Sequence, residues 1–371
     1  MTESPHNPPF ATRSPLHILV IGAGAIGCLV GGKLAQAGVP VTLAGRQRFV
    51  DVLTAHGLRL VNSDITQRID GIHPVASLEA GCRHAAESGR PFDAAILTVK
   101  SYDTTTALEE LREAAQKAGL PLPPILSLQN GVGNEEAIAA IFGPDKTIAG
   151  TITAPVEVPE IGFVRLTKPK WMIGLARWDR QQPAPVFDAL HRQLLDAAIP
   201  VTLYDDARSL KWTKLLMNQI GNASSAILAQ PPGVTFAHPA IANLEIAALR
   251  ETLSVMAAAG IAPVNVEKYP IGTLAPLLRH GPRWLLRPVL RKIVSGARGG
   301  KMPSLFLDLE AGKTKNEVVW YNGAVARTGK KMGIATPVNR LLSETVLRLM
   351  RHPDERESWR GNVEKLARLA R

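Results

Sequence analysis

The chain has 371 residues, enough to bury a full core and to hold two domains. With 46% hydrophobic and 20% charged residues it has the composition of a soluble globular protein, and no apolar run reaches the roughly 18 residues a membrane-spanning helix needs. The formal net charge is +11, yet aromatic residues make up only 5% and no nucleic-acid motif is present, so the charge suits anionic small molecules better than stacked bases.

The opening residues 1–14 carry Pro and polar residues without an apolar h-region, which predicts a flexible tail and not a signal peptide. Cys28 and Cys82 form neither a disulfide framework nor a metal-ligand set, so no metal is expected and the compartment reads as reducing and cytoplasmic.

Structure begins with His17-Ile18-Leu19-Val20-Ile21, an apolar run suited to a strand buried on both faces. It breaks into Gly22-Ala23-Gly24-Ala25-Ile26-Gly27 and then into the helical Leu29–Ala37. Between a strand and a helix, G-x-G-x-x-G is a dinucleotide-binding loop. Gly22 makes the turn, Gly24 lets a pyrophosphate approach, and Gly27 lets the helix press on the sheet. The helix N-terminus, opening at Ala25 and Ile26, offers free N–H groups to the phosphates.

Pro40-Val41-Thr42-Leu43-Ala44-Gly45-Arg46 reads as a second strand. An NAD-preferring fold usually ends that strand with a carboxylate for the ribose hydroxyls. Here Arg46 stands instead, and a guanidinium suits the 2′-phosphate of NADP.

Weaker strands are expected around Leu58–Val61 and Ile72–Val75, and a strong one over Phe92–Lys100 that aims Lys100 at the cofactor cleft. Ile125–Leu128 is a further strand, followed by Gln129-Asn130-Gly131-Val132-Gly133-Asn134, a tight turn whose polar groups emerge at the ligand edge. Thr147–Leu175 alternates in strand fashion with breaks at Pro155, Pro159 and Gly162, suggesting an antiparallel addition to the sheet. A helix over Ala184–Ala197 and a strand over Pro200–Tyr204 complete the α/β pattern.

Near residue 205 the character changes, and helices are expected at Ala207–Leu228, Pro239–Ala259, Lys313–Met332, Pro337–Met350 and Glu355–Ala370. The first places Lys214, Asn218 and Asn222 at i, i+4 and i+8, a polar stripe on one face. Between residues 270 and 300, apolar side chains alternate with Arg279, Arg283, Arg287, Arg291, Lys292 and Arg298. Pro282 and Pro288 argue against one continuous helix there, leaving a lid, a dimer contact or a membrane-surface element open. Ser304 has the look of a helix N-cap, and Glu317 that of a carboxylate near a helix start.

Taken together the chain resembles the ketopantoate reductase (2-dehydropantoate 2-reductase) family. The resemblance is carried by Gly22–Gly27, Val99-Lys100, Gln129–Asn134, Lys214 with Asn218 and Asn222, Pro303-Ser304 with Asp308–Gly312, and Tyr321-Asn322-Gly323 with Gly333–Asn339. It implies an α/β Rossmann-type domain at 15–205 that binds NADPH and an all-α domain at 206–371 for substrate and dimerisation. The implied reaction is NADPH-dependent reduction of a 2-keto acid, 2-dehydropantoate to pantoate by default. A related dehydrogenase of a bulkier anionic hydroxy acid or polyol phosphate, and a silent NADP-binding protein, are the alternatives.

By the same resemblance Lys214 is the catalytic acid, and Glu317 binds the substrate hydroxyl. Asn218, Asn222 and Ser304 contact the substrate, Lys100 and Asn130 lie near the nicotinamide, and Arg46 holds the 2′-phosphate. One stretch departs from the family pattern: Lys313-Thr314-Lys315-Asn316-Glu317 is one residue longer, and Val319 stands where the family has Asp. That departure leaves the register of Glu317 and the substrate itself open.

Overall fold

The computed structural model describes residues 15–62, 65–180, 185–298 and 300–369; the expected tail at 1–14 lies outside them. In chain order the α/β part runs β1 (Ile18–Ile21), α1 (Ala25–Gln36), β2 (Val41–Ala44), α2 (Gln47–His56), β3 (Leu58–Asn62), β4 (Ile65–Ile69) and β5 (Ile72–Val75). It continues through α3 (Leu78–Glu87), β6 (Ala94–Leu97), α4 (Thr104–Lys117), β7 (Ile125–Ser127), α5 (Asn134–Phe142) and β8 (Thr147–Ile152). Last come β9 (Val156–Glu160), β10 (Phe163–Leu166), β11 (Ile173–Arg177), α6 (Pro185–Asp196) and β12 (Val201–Leu203).

The main sheet has eight strands in the order β12-β11-β8-β7-β6-β1-β2-β5. Every pair is parallel except β8 with β11. All residues of β1, β2 and β6 are buried, as helices on both faces require. The chain leaves β1 toward β2 and β5, then crosses back to β6 on β1's other side. The carboxyl ends of β1 and β6 therefore border a topological switch point, where such sheets bind ligands.

The expected single addition over Thr147–Leu175 is corrected by the structure. Only β8 and β11 join the main sheet; β9 and β10 form a second sheet of four strands, β4-β3-β10-β9. Pro159 fits there because β9 is an edge strand. Helix α1 is clasped between the sheets: a Cβ on Gly31 would touch Val20 and Val41, and one on Gly32 would lie 2.7 Å from Leu58.

The remaining residues form α7 (Ala207–Gln219), α8 (Ala223–Leu228), α9 (Pro232–Thr235), α10 (Pro239–Ala258), α11 (Ile271–His280) and α12 (Arg283–Arg298), then α13 (Ser304–Glu310), α14 (Asn322–Met332), α15 (Pro337–Arg351) and α16 (Val363–Leu369). The central α10 packs on α7, α11, α12, α14, α15 and α16. Glu251 on α10 accepts from the backbone N–H groups of Val338 and Asn339 at 2.8 and 2.9 Å, capping α15, which has no side-chain cap of its own. Asn339 Oδ1 accepts from Gln219 and Asn322, so the Asn322 and Asn339 of the family-like motif tie α7, α14 and α15 together.

Four expected elements differ. The helix predicted over 207–228 breaks at Ile220 and Gly221, where Gly221 takes φ +63° and its N–H donates to buried Glu245 at 3.1 Å. Residues 313–316 are not helical; Glu317–Trp320 is a 3-10 turn before α14. The final helix is divided into a 3-10 turn at Pro353–Ser358 and α16. The basic segment breaks at Pro282, as expected, but Pro288 lies inside α12. There Leu286, Leu290 and Val294 pack on the α10 core, while Trp284 stays 73% exposed.

Candidate functional site

The glycine loop shows three different spatial constraints. Gly22 has φ +112°, and a Cβ there would sit 2.9 Å from the Val99 nitrogen. A Cβ on Gly27 would fall 1.9 Å from the Gly22 carbonyl oxygen. At Gly24 a Cβ would meet nothing within 4 Å, so open space lies in front of the loop. No side chain caps the N-terminus of α1 at Ala25 and Ile26. Space at Gly24 and uncapped N–H groups beyond it fit a pyrophosphate. Thr98 braces the loop, its Oγ1 lying 3.1 and 2.8 Å from the carbonyl oxygens of Ile21 and Gly22.

Arg46 is exposed and stands at the N-cap of α2, directly after β2. A Cβ on the preceding Gly45 would lie 2.6 Å from Ala23. The end of β2 therefore lies close against the glycine loop, and Arg46 follows it in the chain beside the nucleotide-binding turn.

Across the switch point, residues from the whole chain converge. Lys100 follows β6, and its Nζ is 2.5 Å from Glu317 Oε2 and 4.0 Å from Asp308 Oδ2. Glu317 is 3% exposed and starts the 3-10 turn before α14. Burial pulls the Lys100 amine toward neutrality, but the Glu317 and Asp308 carboxylates outweigh it and hold the amine above the usual lysine value. Lys313 pairs with the other oxygen of Asp308 at 2.5 Å.

The turn after β7 is fixed with equal care. The Asn130 carbonyl accepts from Ser101 Oγ at 2.8 Å and from Asn134 Nδ2 at 3.0 Å. Gln129 Nε2 donates to the Val99 carbonyl at 2.8 Å. Gly131 takes φ +82° with Trp320 pressed on it, a contact that closes this turn against the helical part. Asn218 Nδ2 then donates to Asn130 Oδ1 at 2.9 Å, joining two expected site residues from opposite sides of the cleft.

Lys214 is half-buried on α7, one turn before Asn218. The helix break removes Asn222 from the expected continuous stripe, since Gly221 redirects the chain into α8. Asn222 nevertheless stays against Asn218, donating to its carbonyl at 3.2 Å. Among the described residues, Asn222 Oδ1 and Asp308 Oδ2 are buried with no hydrogen-bond donor. Such atoms are costly unless a ligand or water supplies the proton.

Ser304 is not an N-cap: Pro303 holds that position of α13, with extended backbone, and Ser304 is the exposed first helical residue. It lies one turn ahead of Asp308 on the same helical face. Ser101, Thr98, Lys211, Asn134, Asp308 and Lys313 stand outside the expected set of site residues. For Asp308 and Asn134 the signal is present in the family-like Asp308–Gly312 and Gln129–Asn134 runs; for the others only the tertiary structure supplies it. Burial pushes the Cys28 and Cys82 thiols up to about 12 and about 11, so neither is a nucleophile near neutrality.

A doubly wound sheet with a bare glycine loop, faced across its switch point by charged groups from a helical part, defines an oxidoreductase of the two-part dinucleotide-binding class. Comparison with known proteins narrows this. The chain belongs to the ketopantoate reductase family: the profile described as "Ketopantoate reductase PanE/ApbA" matches residues 18–176, and its C-terminal counterpart matches residues 206–349. The chain is 27% identical over 340 residues to a 2-dehydropantoate 2-reductase of Pyrococcus horikoshii, covering 88% of this chain and 95% of the relative. A crystal structure of a PanE/ApbA family ketopantoate reductase from Ralstonia eutropha superposes with TM-score 0.74 at 26% identity, covering 92% of this chain and all of that one. The ternary structure of D-mandelate dehydrogenase with NADH and anilino(oxo)acetate shares the fold, with TM-score 0.72 at 20% identity over 91% of this chain and 99% of that one.

Among the described residues no helix is long and apolar enough to cross a membrane.

Proposed function

We propose that the protein reduces a 2-keto acid, 2-dehydropantoate foremost, to the 2-hydroxy acid with NADPH. The observation that carries this is the convergence of Lys100, Asn130, Asn218 and Glu317 in one interdomain cluster beside the end of β6. When bound, NADPH supplies a hydride to the keto carbon. Lys214 donates a proton to the oxygen, so the C=O becomes CH–OH and the lysine leaves as the neutral amine. Before transfer its charge favours the developing alkoxide. Glu317 accepts the substrate hydroxyl; Asn218, Asn222 and Ser304 contact the substrate, with Ser304 near the carboxylate. Asn222 Oδ1 is one of the buried acceptors still lacking a donor.

On the cofactor side Gly22, Gly24, Ala25, Ile26 and Gly27 take the pyrophosphate, Arg46 takes the 2′-phosphate, and Lys100 and Asn130 border the nicotinamide. In this reading residues 15–205 hold the cofactor and residues 206–371 the substrate and the contact of a cytoplasmic homodimer.

A second substrate reading rests on the ring pair Tyr102 and Trp320, whose centroids are 6.4 Å apart; Tyr102 directly follows Lys100-Ser101, and Trp320 ends the turn that Glu317 begins. That apolar wall favours a keto acid with a bulkier side group, as does Val319 in place of a carboxylate. A panel of 2-keto acids mixed with NADPH or NADH, followed by loss of reduced-cofactor absorbance, decides both points. Fastest turnover of 2-dehydropantoate with NADPH supports the first reading. Preference for an aromatic keto acid supports the second, and no turnover of any member defeats both.

A further inference from the structure

Lys211 precedes Lys214 by one helical turn, yet its environment is the opposite of a reactive one. It is 3% exposed; its Nζ donates to the Gln129 carbonyl at 2.7 Å and the Gly150 carbonyl at 3.0 Å, and it forms an ion pair with Glu135 Oε1 at 2.8 Å. Those acceptors belong to the loop after β7, to β8 and to α5, whereas Lys211 belongs to α7. Glu135 is itself 1% exposed, so the ion pair is fully enclosed. An enclosed ammonium held by two carbonyls and a carboxylate tolerates little displacement, because any shift leaves a buried charge or carbonyl unsatisfied.

The bonded partners are significant. Gln129 is adjacent to Asn130, and its side chain holds Val99, the neighbour of Lys100. Through one ammonium, the helix carrying Lys214 and Asn218 is thus joined to the loop carrying Asn130 and to the strand end carrying Lys100.

We infer that Lys211 is a positioning residue: a fixed pivot at the root of α7 that sets the distance between the Lys214 ammonium and the nicotinamide side of the cleft. The inference rests on the proposed role of Lys214. Misplacement of a catalytic group by about 1 Å costs on the order of a hundredfold in rate, so a pivot should govern turnover while leaving cofactor affinity alone.

The test is the double substitution Lys211→Met with Glu135→Gln, which removes the ammonium without stranding a buried carboxylate. The expected result is kcat at least about tenfold lower, NADPH Kd within about threefold, and a larger isotope effect on kcat with NADPH deuterated at the transferred position, as hydride transfer becomes limiting. Amide hydrogen exchange should quicken in residues 207–219 and 129–134 with the rest of the chain unchanged. A lower melting temperature with unchanged kcat per folded molecule and unchanged isotope effect would reduce Lys211 to a stabilising role and overturn the inference.

If the double variant does not fold, exchange in the unaltered protein decides. A pivot requires the hydrogen-bonded amides of Ser209, Leu210 and Lys211 to exchange as slowly as β8 and more slowly than 215–219; equal or faster exchange overturns it. Should the unaltered protein reduce no 2-keto acid, the proposed function fails separately, and the exchange patterns still test the pivot.

Discussion

The glycine loop and the cleft facing it are built from opposite materials. On the loop side the decisive features are atoms left out: a Cβ missing at Gly27 where 1.9 Å is available, and one missing at Gly24 where space stands open. On the far side they are charges brought in, with Lys100 and Glu317 meeting across 217 positions of sequence. Shape does the work in one region and electrostatics in the other, so the two should fail differently when altered.

The largest contrast is expected at the proposed proton donor. Lys214→Ala should lower kcat at least about a hundredfold, the usual scale for a lost acid, while NADPH affinity stays within a few fold. Unchanged turnover in a steady-state assay would remove Lys214 from the mechanism.

The loop itself separates folding from binding. Gly27→Ala places a Cβ in occupied space and should cost about 1–3 kcal/mol in a denaturant titration, with NADPH affinity falling too. Gly24→Ala meets no protein atom, so stability should hold while NADPH binding weakens about tenfold as the pyrophosphate loses its clearance. Equal stability losses in the two variants would contradict the division between them.

On the charged side, Glu317→Gln should raise the KM for the keto acid about tenfold through one lost charged hydrogen bond. It also exposes a pH signature. The Lys100 amine lies above its usual value of 10.5 because of Glu317 and Asp308. A lysine raised on folding contributes stability that is complete below the unfolded value and lost as pH climbs through the folded one. The difference in melting temperature between parent and Glu317→Gln should therefore be present at neutral pH and close at pH above 10.5. A difference that widened with alkalinity would refute the pairing.

The smallest effect is expected at the exposed rim. Arg46→Asp should weaken NADPH several fold more than NADH, as measured by fluorescence titration, because a carboxylate repels the 2′-phosphate and accepts from a free ribose. Equal losses would show that Arg46 does not read the phosphate.

Legibility in the sequence followed the same division. The loop, β1, β2 and β6 were readable because six consecutive residues and short apolar runs carry their own geometry. Fold class and the change to helices near 205 were readable from periodicity. The helix break at Gly221 was not, since a glycine inside a 3.6-residue pattern is equally compatible with continuation, and its N–H partner Glu245 lies 24 positions away. Ser304 invited an N-cap assignment because Ser is a common cap, but Pro303 occupies the extended position and Ser304 comes one place later. Lys211 and Lys214 look alike as letters on one helix; only the carbonyls of Gln129 and Gly150 distinguish an enclosed ammonium from a half-buried one. The second sheet was missed because parallel pairing of β3 with β10 joins segments about a hundred residues apart, beyond the reach of local patterns.

That distant pairing has a consequence for biogenesis. The back of α1 rests on Leu58 and Leu60, and their strand is completed only by Phe163–Leu166. A nascent chain halted at residue 150 would contain the whole phosphate loop and yet leave the edge of β3 unpaired, a ready template for aggregation. Excising the minimal nucleotide-binding unit therefore requires cutting beyond β10, and a shorter fragment should precipitate instead of capturing cofactor.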